Sequence, residues 1–561
     1  MSPSSKAKRR GVFYSPSAIA DVLVQWAVRA PSERILEPSF GGCEFLSCIE
    51  KRLTGLSSTT PWKQMFGCDV DATAFKRHLA LLRPEVAQTR HFLKEDFLTL
   101  RPSDFLVNDF DVLIGNPPYV SHHNMFLTQR ASRERVERLG DFRLSRMASL
   151  WGYFVLHGLR FLKNGGRMAW LLPGSALHAN YAKELLREVS RHFERTAVIS
   201  IEQRLFLSNG TSEATHILLC DERGSAGSDH VEIVTVKRIE ECVNVLTDWS
   251  KKRITGAVLN GRAQRALTPA PRLSAFNSLS TSEWTYRMDD VATLSIGIVT
   301  GANKFFVVNE EVSQQHKLPE RTLHPILAKL SIARTLNLTP RDFHAARIKG
   351  IRCLLIVPRR SERSRAVNSY FDRFPEQERL SNVTFAKRQD WRLPDDSKIP
   401  DAFLPYMHNT GPRIILNGSR VNSTNTIHRL FFKPGVDLTK RKLIAISMMS
   451  SFSQISAEIE GRSYGGGILK HEIGEASSIQ LLLPNHVSKR SIDRTFKRIG
   501  QLLRRGDEDG ARTAADSLLA SHIRQLRSRR FLKRLDGCLK YLRRYRKPHK
   551  KTNPKPSVPH L

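Results

Sequence analysis

The sequence is poor in the features that staple, span or export a chain. Its seven cysteines are scattered and no two form a Cys-x-x-Cys pair, which argues against a disulfide framework or structural zinc and for a reducing compartment. No run approaches the roughly 18 apolar residues that a membrane-spanning helix needs. Residues 1–11 are basic but have no apolar core and no small-residue cleavage site, so a secretory leader is not expected. Acids are in deficit: 54 Asp and Glu face 89 Lys and Arg, a formal net charge of +35. A field of that sign draws polyanions with salt-dependent affinity. Nucleic acid is the expected partner, with an acidic protein or a ribosome-like assembly as the alternative. What remains is an ordinary globular composition, 40% apolar and 25% charged over 561 residues, with room for two or three cores.

Near the N-terminus Ile19, Val22, Leu23, Trp26 and Ala27 share one helical face, with Ser15 as the expected N-cap and Pro16 in the first turn. Arg34-Ile35-Leu36-Glu37 then reads as a strand, Pro38-Ser39-Phe40-Gly41-Gly42 as a tight turn, and the residues from Cys43 to about Arg52 as a helix. Two more strand-then-acid units follow: residues 64–68 end at Asp69-Val70-Asp71, and His91-Phe92-Leu93 leads to Glu95-Asp96-Phe97. In a doubly wound sheet an acid ending the second strand is placed to bind ribose hydroxyls, which suits Asp69. Asp96 and Phe97 would hold and stack on the base of the same ligand. Each acid alone is more often a helix cap than a ligand. Three such units in succession point to a nucleoside-containing cofactor.

The fourth strand, Asp111-Val112-Leu113-Ile114-Gly115, ends abruptly in Asn116-Pro117-Pro118-Tyr119. The prolines restrict their own φ and that of the residue before each, stiffening a loop at the ligand-binding rim. An aromatic amino group is a poor nucleophile because its lone pair is delocalised into the ring. The Asn116 side-chain oxygen and the Pro117 backbone oxygen would accept its two N–H groups, favour a tetrahedral nitrogen and aim the lone pair at a methyl group. Positioned dipoles suffice for charge that develops only in the transition state. Tyr119 would stack on the ring, and a base reaches such a pocket only by leaving its duplex.

This order of motifs resembles the S-adenosylmethionine-dependent DNA adenine-N6 methyltransferases with an N-terminal catalytic domain and a C-terminal target-recognition domain, the TaqI-like modification methylases. The resemblance implies donor contacts at Phe13, Tyr14, Ser15, Glu37, Pro38, Gly41, Asp69, Asp96 and Phe97. Phe206 matches a loop aromatic that stacks on the opposite face of the flipped base, a hydrophobic loop anchor being the alternative. Phe154 matches an aromatic near the donor's adenine, with core packing the other reading. Cys43 departs from the pattern, since the family's glycine turn has its next glycine there. No metal is implied. The Asn-Pro-Pro-Tyr motif is shared by RNA and protein amino-methyltransferases, which stay open as alternatives, as does a DNA-binding relative that has lost turnover. The expected setting is a bacterial cytoplasm, at the nucleoid, with double-stranded DNA and a cognate restriction endonuclease as partners and no membrane.

The implied architecture is α/β: a Rossmann-like class I methyltransferase domain with a mostly parallel seven-stranded sheet over residues 1–245, a linker over 246–285, an α+β target-recognition domain over 286–484 and a basic helical tail over 485–561. Residues 121–146, polar and rich in Arg and Glu, suit a lid, a DNA-contacting loop or a plain surface loop. Ser295-Ile296-Gly297-Ile298-Val299-Thr300-Gly301-Ala302-Asn303-Lys304-Phe305-Phe306 resembles the opening of a recognition domain, and Gly411-Pro412-Arg413 with Asn425 is a looser match. A fused nuclease is not expected, because the Asp-x-Lys of Pro394-Asp395-Asp396-Ser397-Lys398 has its Pro-Asp adjacent rather than a hairpin away. Residues 523–555 hold 14 Lys and Arg against one acid, and Leu532, Leu535, Leu539 and Leu542 add an apolar stripe. That combination predicts an amphipathic basic helix rather than only a disordered arm, packing on the recognition domain and presenting its charged face to phosphates, with a solvated charged helix as the alternative.

Overall fold

The computed structural model describes residues 15–75, 90–140, 142–201, 215–224, 227–228, 230–250, 257–258, 263–394, 397–464 and 467–546. The chain forms two compact units, Met1–Leu267 and Thr268–Leu561. The first is an α/β sandwich on one sheet. Its apolar runs form β1 (Ile35–Glu37), β2 (Met65–Cys68), β3 (Phe92–Leu93) and β4 (Phe110–Gly115). Every residue of β1 and β2 is buried, as parallel strands covered on both faces must be. A long β5 (Leu162–Pro173) and then β6 (Phe193–Ile201), β7 (Thr215–Arg223), β8 (Val231–Val236) and β9 (Ala257–Val258) complete the sheet. The spatial order is β3-β2-β1-β4-β5-β7-β6-β8-β9. Strands β1 to β5 run parallel, and β7 lies antiparallel between β5 and β6.

Seven strands were expected and nine are present among the described residues. The edge of β6 is extended by β8, which pairs parallel with it from Thr196 and Val231 to Ile201 and Val236. The alternation Val231-x-Ile233 along β8, both buried, was a readable strand signal. Helices α1 (Ser17–Ala27), α2 (Glu44–Gly55) and, later in the chain, Ile239–Ser250 supply one apolar layer against the sheet. Helix α1 carries no side-chain cap, and Pro16 rather than Ser15 stands at its N-cap position. The polar span 121–146 is not a plain loop, because Leu127–Arg138 forms a helix, α3. Another, α4 (Leu150–Gly158), follows it. The sheet order reverses between β1 and β4. A doubly wound fold opens its ligand crevice at that point, beyond the strands' carboxyl ends.

The second unit is α+β. One sheet takes Ala292–Ser295, Ile427–Phe432, Ala402–Pro405, Ile415–Asn417 and Asn337–Leu338 in that spatial order. Gly297 crosses so close to a neighbouring strand that a Cβ would lie 2.2 Å from the Thr424 carbonyl oxygen, so no larger residue fits there. The resemblance at Thr300-Gly301-Ala302-Asn303 closes on Asn425, whose side-chain oxygen accepts from Asn303 Nδ2 at 3.0 Å.

The span 246–285, expected as a linker, includes a helix, α5 (Ala270–Ser280), whose Leu273, Phe276 and Leu279 are buried in the second unit. Its Ala, Ser and Pro content hid a short apolar face. The helices that follow it include α6 (Ser451–Glu460), α7 (Lys489–Arg504), α8 (Glu508–Ala520) and α9 (Arg529–Arg546). Helix α9 packs on α5 and α6 through Leu535, Cys538, Leu539 and Leu542, all at most 2% exposed. The apolar stripe of the basic helix is thus part of a core.

Candidate active site

The carboxyl ends of β1, β2 and β4 and the turn after β3 meet around a cavity of about 970 Å³, at the upper end of the ~300–1,000 Å³ typical of small-molecule sites. Its wall includes Ser15, Glu37, Pro38, Gly41, Asp69, Asp96, Phe97, Asn116 and Pro118. Residues as distant in sequence as Ser15 and Pro118 are thus brought to one opening. Phe13, Tyr14 and Phe206 lie outside the described residues.

The wall's charge opposes that of the chain. Glu37, Glu44, Asp69, Asp71, Glu95 and Asp96 line it, against Lys94 as the only cation among the described lining residues. Inside a protein of +35, such an acidic hole favours a cation and disfavours a phosphate. Glu37 is 2% exposed, and its carboxyl titrates well above the ordinary range, first because of burial and then because Asp69 is near. Its Oε2 has no hydrogen-bond partner among the described residues, so a buried acceptor is left for a ligand's donor group. Burial also raises Asp69, opposed by amide donors: Gly41 N–H reaches Oδ2 at 2.9 Å and Asp71 N–H reaches Oδ1 at 2.8 Å.

The turn between β1 and α2 shows what the cysteine departure does. Gly41 has φ +45° and Cys43 φ +63°, so the thiol-bearing residue occupies the left-handed region that glycine fills without strain. Its side chain turns away from the cavity into the apolar layer, 1% exposed, and Sγ approaches the Ala74 carbonyl at 4.0 Å. The turn keeps the shape a glycine would give it, at the cost of some backbone strain. Cys43→Val, β-branched at positive φ, should lower unfolding stability by ~1–3 kcal/mol. Cys43→Gly should fold and keep the cavity. Denaturant melts of the two variants test this, and a Val variant as stable as the parent would refute the strain.

Asn116 leaves β4 with both its amide and its backbone held. Its Nδ2 donates to Ser15 Oγ at 3.2 Å, and Ser39 Oγ donates to its backbone carbonyl at 3.1 Å. This is why Ser15 does not cap α1: its hydroxyl orients the Asn116 amide. Pro117 is buried and Pro118 lines the cavity. The Tyr119 hydroxyl donates to the Leu171 carbonyl on β5 at 3.0 Å, which fixes the ring's tilt. Phe97 is 1% exposed, in an aromatic group with Phe154 (5.3 Å) and Phe161 (4.9 Å). Phe154 also lines the cavity, so it is core and wall at once. Local pattern did not single out Lys94, Glu95, Phe126, Thr128 or Gln129 as lining residues. The last three sit at the start of α3, and their sequence offers only a polar helix.

Residues 2–256 match the family described as N-6 DNA Methylase. Residues 262–520 match the C-terminal domain of the Type II methyltransferase M.Eco57I. The chain is 21% identical over 504 residues to the Type II methyltransferase M.AccI of Acinetobacter calcoaceticus, covering 87% of this chain and 88% of that one. It is 24% identical over 359 residues to the Type II methyltransferase M.PaeR7I of Pseudomonas aeruginosa, covering 57% and 60%. In fold it is similar to the Type IIL restriction-modification enzyme MmeI, solved in complex with DNA, with a TM-score of 0.50 at 12% identity over 94% of this chain and 75% of that one.

Proposed function

Because its first half belongs to the N-6 DNA methylase family and its second to the M.Eco57I C-terminal domain family, we propose that this chain is a site-specific DNA adenine-N6 methyltransferase of a restriction-modification system. It moves a methyl group from S-adenosylmethionine to the exocyclic amino group of an extruded adenine. The observation that carries the reading is the placement of Asn116 and Pro118 on the wall that Glu37, Asp69 and Asp96 also form. Acceptor and donor sites then share one cavity.

The donor fits that wall. Its sulfonium and ammonium suit the carboxylates, and the unpartnered Oε2 of Glu37 suits an N–H or O–H donor. Bound there, it supplies an electrophilic methyl group. Gly41 and Gly42 let backbone approach the ligand, Asp69 is assigned the ribose, and Asp96 with Phe97 the adenine. Across the cavity the Asn116 side-chain oxygen and the Pro117 carbonyl accept the target amino hydrogens, Tyr119 stacks on the ring, and Phe206 takes its other face. Phe154 and Phe97 give the cavity an aromatic side, and Phe126, Thr128 and Gln129 at the start of α3 add to its wall. The second unit and the excess positive charge supply DNA contact, phosphate affinity from Lys and Arg and sequence reading from the recognition domain. They favour DNA over a protein substrate. We place the enzyme in the bacterial cytoplasm, with a separate restriction endonuclease as its counterpart. No helix among the described residues is long and apolar enough to cross a membrane.

Modification-sensitive sequencing of DNA from cells expressing the chain should reveal N6-methyladenine at one recurring sequence. Unmodified adenine throughout, with the protein expressed and folded, would end the reading. The wall's charge adds a second expectation. Glu37 has a raised folded pKa, so its contribution to stability is full below its unfolded pKa and is lost as pH rises through the folded value. Glu37→Gln should therefore make the ligand-free protein more stable at pH 7. It should also weaken donor binding at least tenfold, roughly the worth of one charge-assisted bond. In the parent, donor affinity should fall as pH drops through the raised Glu37 range, and the variant's profile should be flatter. Calorimetric titration at several pH values checks both, and identical profiles would count against Glu37 as a ligand.

A further inference from the structure

Helix α3 follows the catalytic loop and reaches back to the donor end of the cavity. Its Thr128 and Gln129 join the lining, and one turn on, Ser132 is 7% exposed. Ser132 Oγ lies 2.6 Å from Asp96 Oδ2 and 3.1 Å from the Thr128 carbonyl. A hydroxyl has one proton to donate, and the shorter, charge-assisted contact to the carboxylate takes it. The other carboxylate oxygen, Oδ1, accepts the Leu98 amide at 3.1 Å. Asp96 is therefore held from two directions, while each oxygen keeps a lone pair and the group lines the cavity.

We infer that Ser132 is a positioning residue for the donor: it fixes the Asp96 carboxylate so that a remaining lone pair meets the amino group of the donor's adenine. The inference rests on reading the cavity as the donor site. Helix capping accounts for Oδ1 alone and leaves the bond to Oδ2 without a role. Without Ser132 the carboxylate keeps one tether and can rotate about its terminal torsion, which is broad for Asp. A ligand's amino group then meets a loosely aimed acceptor, and discrimination against a ligand lacking that amino group falls. Helix α3 does not need this bond to stay in place. Arg133, 6% exposed, donates to the Arg146 carbonyl at 3.2 Å and pairs with His122 Nδ1 at 3.1 Å. The Tyr153 hydroxyl on α4 also donates to Glu137 on α3 at 2.7 Å.

The test compares binding of S-adenosylhomocysteine with S-inosylhomocysteine, its analogue with a carbonyl in place of the amino group, by calorimetry on the full chain without DNA. The parent should prefer the adenine ligand by on the order of 10- to 100-fold, the range of a hydrogen bond to a charged group. Ser132→Ala should bring that preference to within about threefold, with the melting temperature close to the parent's. Ser132→Thr, which keeps the hydroxyl, should restore it. Ser132→Cys, near-isosteric but a weak donor, should give an intermediate value. A Ser132→Ala or Ser132→Cys protein with the parent's full preference would overturn the role of Ser132 while leaving the methyltransferase reading intact. A parent that binds neither ligand would overturn both.

Discussion

Asn116→Ala should lower methyl transfer by about 10²–10³-fold or more, the effect of removing one preorganised acceptor or donor from a transition state, with donor and DNA affinity nearly unchanged. Two observations make the expectation specific. Ser15 Oγ holds Nδ2 and Ser39 Oγ holds the backbone carbonyl, so the amide's orientation is set before substrate arrives. The residue lines the cavity that carries the carboxylates. The charge it meets develops only in the transition state, so a positioned dipole suffices and no base with a shifted pKa is required. Single-turnover methylation of a duplex, beside separate binding measurements for donor and DNA, isolates the chemical step. Retained turnover would refute Asn116 as the acceptor. Lost DNA binding would mean that the residue acts by shaping the loop. Ser15→Ala should give a smaller loss of the same kind, since the amide keeps its oxygen but loses the bond that aims it.

Truncation before Arg529 should unfold the second unit rather than merely weaken DNA binding. The basic stretch invites a deletion experiment in which affinity and its salt dependence fall together. The structure shows why that experiment would mislead. Leu535, Leu539 and Leu542 are each at most 1% exposed, and burying three such side chains contributes roughly 5–9 kcal/mol, comparable with the total stability of a domain. The helix ends on Arg546, which is 4% exposed and grips Glu458, 4% exposed, through two bonds of 2.9 Å. It also donates to the Asn409 and Gly467 carbonyls. Glu458→Ala, leaving that guanidinium buried and unpaired, should cost about 3–5 kcal/mol. Denaturant unfolding of the variant measures it, and a loss under 1 kcal/mol would show that water replaces the carboxylate. The phosphate role of the helix is better tested by neutralising exposed Arg529, Arg530 and Arg544 together. This should reduce the salt dependence of DNA binding while the fold persists.

Read along the chain, the chemistry was legible because its signals are local. A parallel strand buried on both faces is an apolar run, and an acid after each of three runs marks a rim. Asn116 to Tyr119 are contiguous and need no tertiary information to suggest an amino group as substrate. The sequence by itself therefore determined the fold class, the succession of the first strands along the chain and an amino group as the substrate of methyl transfer. Helix α5 is hard to read for a different reason: its apolar signal spans only a few residues and is diluted by Ala, Ser and Pro.

Tertiary structure alone decided the pairings between distant residues. Ser15 aims Asn116 from 101 positions away, Ser132 holds Asp96 across 36, and Arg546 locks Glu458 across 88. It also decided that the Cys43 side chain enters the core rather than the cavity. The physical reason is common to all four. A hydroxyl, a carboxylate or a guanidinium reads the same in sequence whether it faces water or a partner, and only the packing that excludes water around it settles which.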